Sequence, residues 1–316
     1  MGRLPLLLVA VLPLLLHTPA GAAGASPTPQ PCALATQRAA LAEDALREHF
    51  WNGTTGLWDE NLWWQSACSL EVLGRHALTA GNATLRASAA SDIATLYNHT
   101  ANMSKGGPTI TGYYDDEEWW AMGWLRAWEL TGNASYVERT DTILNHMTDA
   151  SWNESSCGGG FMWQGYLYGS KSYGNPYKGA ITNELFLLLS AKMAVLGPPG
   201  NRSHYAEWAT KAWSWFKSSG LIGEKGMVND GLDSFTGHLE ICRNNNQTAF
   251  TYNQGVIVGA LGYLYELTGR DDLLQTAANI ANASMTHLVH TSDPGAKNEI
   301  CIIIDERCIS NDGFCI

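Results

Sequence analysis

Two adjacent aspartates, Asp115 and Asp116, stand in the run Tyr113-Tyr114-Asp115-Asp116-Glu117-Glu118-Trp119-Trp120, flanked by aromatic pairs on both sides. Neighbouring Cα atoms lie about 3.8 Å apart, so the two carboxyl groups can converge on one bond. Paired carboxylates are the machinery of glycoside hydrolysis. A retaining enzyme needs them about 5–5.5 Å apart, an inverting one about 6.5–9.5 Å, so adjacent residues favour retention. Two like charges this close should raise one pKa and leave one group as the acid. The same run also suits the solvated first turn of a helix, where Asp and Glu complement the helix dipole. The surrounding Tyr and Trp rings weigh toward a sugar site, because sugars stack on aromatic faces.

The elements that would hold this pair are helical. Leu78–Leu85, Leu130–Tyr136 and Leu267–Leu273 each read as a corner between two helices, with Gly81, Gly132 and Gly269 stopping one and Asn or Asp capping the next. Leu196–Asn201 is a looser fourth corner. Apolar residues recur at helical spacing on both sides of these corners, for example Leu185, Leu188, Leu189 and Met193. About nine helices can be placed, with no convincing strand; Ile300–Ile304 is strand-like but isolated. Successive antiparallel helix pairs predict an all-α toroid or solenoid. Its inner helices would line a funnel, and loops such as Cys157–Lys178 would form the rim.

Composition fits an exported sugar-active protein. Arg3 followed by the apolar Leu4–Leu16 and small-residue cleavage sites reads as a signal peptide over residues 1–25, too short to span a bilayer. Asn52, Asn82, Asn98, Asn102, Asn133, Asn153, Asn201, Asn246 and Asn282 all sit in Asn-X-Ser/Thr sequons, predicting an N-glycosylated, secreted or cell-wall protein. The net charge of −11 argues against nucleic acid or anionic lipid as a partner. No membrane span is expected in the mature chain, which reads as a monomer. Thirteen tryptophans are many for this length; most serve the core, and carbohydrate clefts are the other common reason. The seven cysteines match no zinc spacing, and neither a metal nor a cofactor is expected. Cys157 and Cys242 each precede a site-like segment and are expected to lie near each other.

At this point the residues resemble a family. Tyr114-Asp115-Asp116 through Trp119-Trp120-Ala121, then Trp124-Leu125-Arg126-Ala127 and Leu130-Thr131-Gly132, is similar to the central motif of glycoside hydrolase family 76, the α-1,6-mannanases and related fungal cell-wall transglycosidases. Cys157–Trp163 resembles its glycine-rich loop, Lys178–Leu187 its next inner helix, Phe250–Gly255 its Thr-Tyr-Asn-Gln-Gly motif, and Trp63–Ser66 an early aromatic motif. These motifs run in family order over roughly residues 33–290. The resemblance implies an (α/α)6 barrel and a retaining mechanism with Asp115 as nucleophile and Asp116 as acid/base. The expected substrate is α-mannan or a related oligosaccharide, cleaved at α-1,6 bonds. A cell-wall transglycosidase and an inactive glycan-binding product are the alternatives.

Around the pair, Tyr114, Trp119, Trp120, Trp63, Trp64, Trp163, Tyr252, Asn253 and Gln254 are the candidate substrate-binding side chains. Trp119 and Trp120 differ by about 100° around a helix, so only one can point into the funnel. Asn253 and Gln254 either hydrogen-bond sugar or lock the helix. Gly159 and Gly160 would let the backbone approach a ligand closely. Glu184 is either a site carboxylate or a buried anchor, with the anchor favoured. The glycosidase domain is expected over residues 26–290. Residues 291–316 lose helical period and read as an irregular tail in place of the last barrel helices.

Overall fold

The computed structural model describes residues 31–58, 63–103, 112–165, 177–233 and 242–288, with side chains omitted at 31–36 and 101–103. The signal peptide, the tail from 291 and the strand-like Ile300–Ile304 lie outside the described residues.

Among the described residues nine α-helices dominate: α1 (Pro31–Phe50), α2 (Trp63–Thr79), α3 (Ala83–Met103), α4 (Tyr114–Thr131), α5 (Ala134–His146), α6 (Ala180–Val195), α7 (Arg202–Ser218), α8 (Thr251–Thr268) and α9 (Asp271–Leu288). The strands are two or three residues long. β1 (Trp51–Asn52) pairs with β2 (Leu57–Trp58), and β3 (Lys178–Gly179), β4 (Gly231–Asp233) and β5 (Arg243–Asn244) form a small antiparallel sheet in that order.

The corners work as their residues dictate. Gly132 and Gly269 end α4 and α8 at φ 72° and 70°, a left-handed conformation that costs other residues a Cβ clash. The Asn133 side chain then accepts from the Ser135 N–H, and that of Asn82 from Thr84 and Leu85. The looser corner contains a 3-10 turn at Pro199–Asn201.

Burial sorts the helices into two layers. From Glu117 to Ala127 every residue of α4 is buried, as is every residue of α6 from Ala180 to Ala194. A helix buried on all sides is an inner helix. In contrast α5 buries one stripe, Tyr136, Val137, Thr140, Ile143 and Leu144, and α9 buries Leu273, Ala277, Ile280 and Ser284. Helices α2, α4, α6 and α8 pack side by side in that order, and each is backed by the outer helix that follows it: α3, α5, α7 and α9. Close approach of α2 to α4 needs glycine: a Cβ on Gly123 would come within 2.8 Å of Leu70, and one on Gly74 within 2.5 Å of Arg126. At that crossing Arg126 grips both carboxylate oxygens of Glu71, at 3.1 and 3.0 Å, with both side chains buried. Burial alone would raise Glu71; Arg126, Lys192 and Arg75 together hold it below the usual carboxylate range.

Because every hairpin returns the chain to the same side, the N-termini of all four inner helices gather at one end. That end receives Trp63–Gln65 from α2, Asp115 and Asp116 from α4, Thr182–Glu184 from α6 and Tyr252–Gln254 from α8. Their positive dipole ends point the same way.

Candidate active site

Helical phase decides which α4 side chains face the ring centre. Glu117, Trp120 and Trp124 line a crevice with Thr100 of α3 and Arg139 and Ile143 of α5, so this face looks outward to the second layer. Asp115, Glu118 and Trp119 fall on the opposite face. Asp116 lies at the flank, one residue into the first turn.

Asp115 is partly exposed, and its Oδ2 accepts a hydrogen bond from Trp163 Nε1 at 3.1 Å. Its Oδ1 is buried and has no hydrogen-bond partner among the described residues. Burial, and next the charge of Asp116, push Asp115 up to about 7, against the pull of the Trp163 N–H and of the first-turn backbone N–H groups.

Trp163 is placed by a chain of backbone bonds. Its carbonyl accepts from Tyr114 N at 3.0 Å, its N–H donates to Tyr177 O at 2.9 Å, and its ring lies 4.6 Å from that of Tyr113. The bend before it is held from α6: Asn183 accepts from Phe161 N at 2.7 Å and donates to Phe161 O at 3.1 Å. Lys178 Nζ donates to Gly160 O at 2.6 Å and Asn153 O at 3.1 Å, and burial lowers its pKa to about 7. A disulfide joins Cys157 to Cys242 across 85 residues, with Cα atoms 5.3 Å apart, so the expected proximity of the two cysteines is observed. It marks an oxidising compartment.

Tyr252 stands at the start of α8. Burial raises its hydroxyl pKa first, and the charges of Asp230, Asp115 and Glu184 raise it further. The exposed Phe250 ring stacks on it at 5.0 Å and 9°. Across the mouth, the exposed Trp64 meets Trp119, with ring centres 6.2 Å apart. Asp230 accepts from the Tyr177 hydroxyl, which also receives Asn245 Nδ2 at 3.0 Å.

Several residues expected at the site serve other ends. Trp120 is fully buried, packing on Trp63 at 4.7 Å and Trp124 at 5.5 Å, so Trp63 and Trp120 belong to the joint between α2 and α4. Tyr114 is buried, with its ring toward His146 and its hydroxyl toward Ala150 O, behind the helix rather than in the funnel. Gln254 is committed to backbone: its amide accepts from Val228 N and donates to Val228 O and Phe250 O. It locks the start of α8. At Gly159 and Gly160, φ is 143° and 84°, and a Cβ on Gly160 would lie 2.3 Å from Trp215. What these glycines admit closely is the Trp215 indole rather than a ligand. Asn253 is fully buried and neither amide atom has a partner among the described residues. Glu184 is likewise buried, with no partner for either carboxyl oxygen among the described residues, and burial raises it well above the carboxylate range. The holding roles of Asn183, Lys178, Tyr177 and Asp230 escaped sequence reasoning, since nothing local marks a partner 18 to 53 residues away, although Lys178 and Asn183 lie in the Lys178–Leu187 motif. No group of three His, Cys, Asp or Glu among the described residues is placed to hold a metal ion.

A ring of helical hairpins with adjacent acids at the mouth is the layout of an (α/α) toroid glycoside hydrolase. The sequence profile of glycosyl hydrolase family 76 matches residues 34–313, and the chain belongs to this family. It is 28% identical over 190 residues to the mannan endo-1,6-alpha-mannosidase DFG5 of Candida albicans, a match covering 59% of this chain and 41% of that protein. The chain spans less than half the length of the curated relatives it matches. Its fold superposes on the Lin0763 protein from Listeria innocua with a TM-score of 0.67 at 27% identity, covering 84% of this chain and 75% of that one. It also superposes on the GH76A alpha-1,6-mannanase of Salegentibacter sp. with a TM-score of 0.66 at 23% identity, covering 79% and 70%. An inactive variant of that mannanase, with two consecutive aspartates replaced by alanine, has been solved with alpha-1,6-mannotetrose. The all-α (α/α)6 fold is thereby established, with four of its hairpins, α2/α3 to α8/α9, among the described residues. No helix among these residues is long and apolar enough to cross a membrane.

Proposed function

We propose that this protein is a secreted, N-glycosylated retaining glycosidase that cleaves α-1,6-mannosidic bonds in mannan. The observation that carries the reading is the position of Asp115 and Asp116 in the first turn of an inner helix, at the end where four inner-helix N-termini meet. Trp163 fixes one oxygen of Asp115 there. The relatives' names and the oligosaccharide bound by the mannanase supply the substrate class.

In this reading Asp115 attacks the anomeric carbon and the mannosyl–oxygen bond breaks, while Asp116 protonates the leaving oxygen. Asp116 then takes a proton from water, whose oxygen displaces Asp115. The reading requires Asp115 ionised and Asp116 protonated in the substrate complex. The Trp163 N–H and the first-turn amides stabilise charge on Asp115, working against burial and the charge of Asp116. Trp64, Trp119 and the Phe250–Tyr252 pair offer rings for flanking sugars.

The test is hydrolysis of α-1,6-mannan by the purified protein, with Asp115→Asn, Asp116→Asn and the Ala variants. Both Asn variants should lose activity. Azide should rescue Asp115→Ala with inverted glycosyl azide and Asp116→Ala with the retained one. Wild-type rates in either Asn variant would end the proposal, and the opposite azide stereochemistry would exchange the two roles.

A further inference from the structure

Glu118 sits three residues beyond Asp115, on the same face of α4, where residues three apart are neighbours. It is fully buried, and neither of its carboxyl oxygens has a hydrogen-bond partner among the described residues. One oxygen of Asp115 is in the same condition: Trp163 holds Oδ2, while Oδ1 is buried and unpartnered. Two unpaired acceptors side by side in a dry place are costly unless one of them carries a proton.

The charge that acts on Glu118 is that of Asp115, a like charge and not a counter-ion. The cation on this side, Lys178, donates to Gly160 O and Asn153 O. Further along the ring Arg126 is committed to Glu71 and Glu129. A carboxyl so placed is neutral and therefore owns one O–H donor. Burial, and after it the charge of Asp115, accordingly raise Glu118 well above the carboxylate range.

We propose that Glu118 is a positioning residue for the reaction: as a neutral acid it donates its O–H to Asp115 Oδ1, so that Trp163 and Glu118 each hold one oxygen of Asp115. With both oxygens fixed, Asp115 presents one orientation to the anomeric carbon, which is where positioning gains rate. The proposal rests on the reading of Asp115 as a reacting group. Its relevance to fold stability runs the other way, since a buried acid is less favourable than an apolar side chain of the same shape.

The experiment compares Glu118→Gln, which keeps a donor, with Glu118→Leu, which keeps the volume without one. Three readouts are taken: kcat and KM on α-1,6-mannan against pH, the melting temperature, and carbon-13 NMR titration of labelled Glu and Asp carboxyls. The Glu118 signal should stay in the protonated form past neutrality and vanish in Glu118→Gln. Glu118→Leu should melt no lower than wild type, lose roughly 10- to 100-fold in kcat at similar KM, and raise the Asp115 midpoint by about one to two pH units. Glu118→Gln should recover most of kcat and the wild-type midpoint. A Glu118 signal that titrates in the ordinary carboxylate range, a fall in the Asp115 midpoint in Glu118→Gln, or wild-type kcat and midpoint in Glu118→Leu would each overturn the proposal. Absence of mannanase activity in the wild type would defeat the glycosidase reading instead, while the two NMR midpoints would still decide the Glu118–Asp115 contact.

Discussion

Gly160→Ala tests whether the bend before Trp163 is built around an indole. The backbone there has φ 84°, and an alanine in the left-handed region costs roughly 1–2 kcal/mol. The new Cβ would also stand 2.3, 2.4 and 2.7 Å from three carbons of Trp215, about 0.8 Å or more inside the ordinary carbon–carbon separation of about 3.5–4.0 Å. Trp215 cannot swing aside freely, because its Nε1 donates to Cys157 O at 3.0 Å and its ring abuts Trp152. Overpacking of this kind costs roughly 1–3 kcal/mol, so the total is roughly 2–5 kcal/mol. For a domain this long that is a fall in Tm of roughly 5–15 °C. The assay is thermal and denaturant unfolding of Gly160→Ala, of Trp215→Leu and of the double variant. Shrinking Trp215 should remove the overpacking part and leave the backbone part, a coupling of roughly 1–3 kcal/mol. Since Trp163 follows three residues later, kcat should fall as well. A Gly160→Ala protein within about 0.5 kcal/mol of wild type, the range of an inconsequential surface change, would refute the packing argument.

Two pH-dependent effects follow from the same loop. Trp163→Phe deletes the N–H that stabilises charge on Asp115, so Asp115 should rise further above about 7, and the acid limb of kcat/KM should move up by roughly one unit; an unmoved limb would show that the bond does not tune the acid. Lys178 in the folded chain gives up its proton near 7 while the unfolded chain keeps it to about 10.5. Between these values the unfolded state binds more protons, so stability should climb with pH at up to about 1.4 kcal/mol per unit. Lys178→Met should flatten that climb in unfolding measured from about pH 7.5 to 9.5, and an equal slope in both proteins would contradict the buried, destabilised charge.

Much of the fold was legible because corners are local. Gly132 and Asn133 must stop one helix and start another wherever they occur, and the same holds at Gly81–Asn82 and Gly269–Arg270–Asp271. The gathering of inner-helix N-termini then follows from connectivity alone. The site was less legible because spacing fixes the angle between side chains but not the phase of the helix in the ring. Trp119 and Trp120 were known to diverge, yet only the packing of Trp120 on Trp63 and Trp124 shows which one faces the centre. Tyr114 precedes the acids in sequence and turns its back on them in space. The glycine pair advertised a close approach without naming what approaches, and Trp215 lies 55 residues further on. Glu118 stood inside the most conspicuous motif of the chain and looked like one more charge on a solvated turn. Only its complete burial gives it a different chemistry.

The bond between Cys157 and Cys242 encloses the bend, Trp163, the whole α6/α7 hairpin and strands β3 and β4 within one covalent loop. That hairpin is therefore lassoed at the mouth and cannot swing out of the ring without dragging both anchor points along. Severing the lasso would loosen the indole that grips Asp115 while leaving every carboxylate chemically intact. A reductant would thus act on this protein as a throttle at its entrance, and the redox poise of the surrounding medium becomes one of the settings of its active geometry.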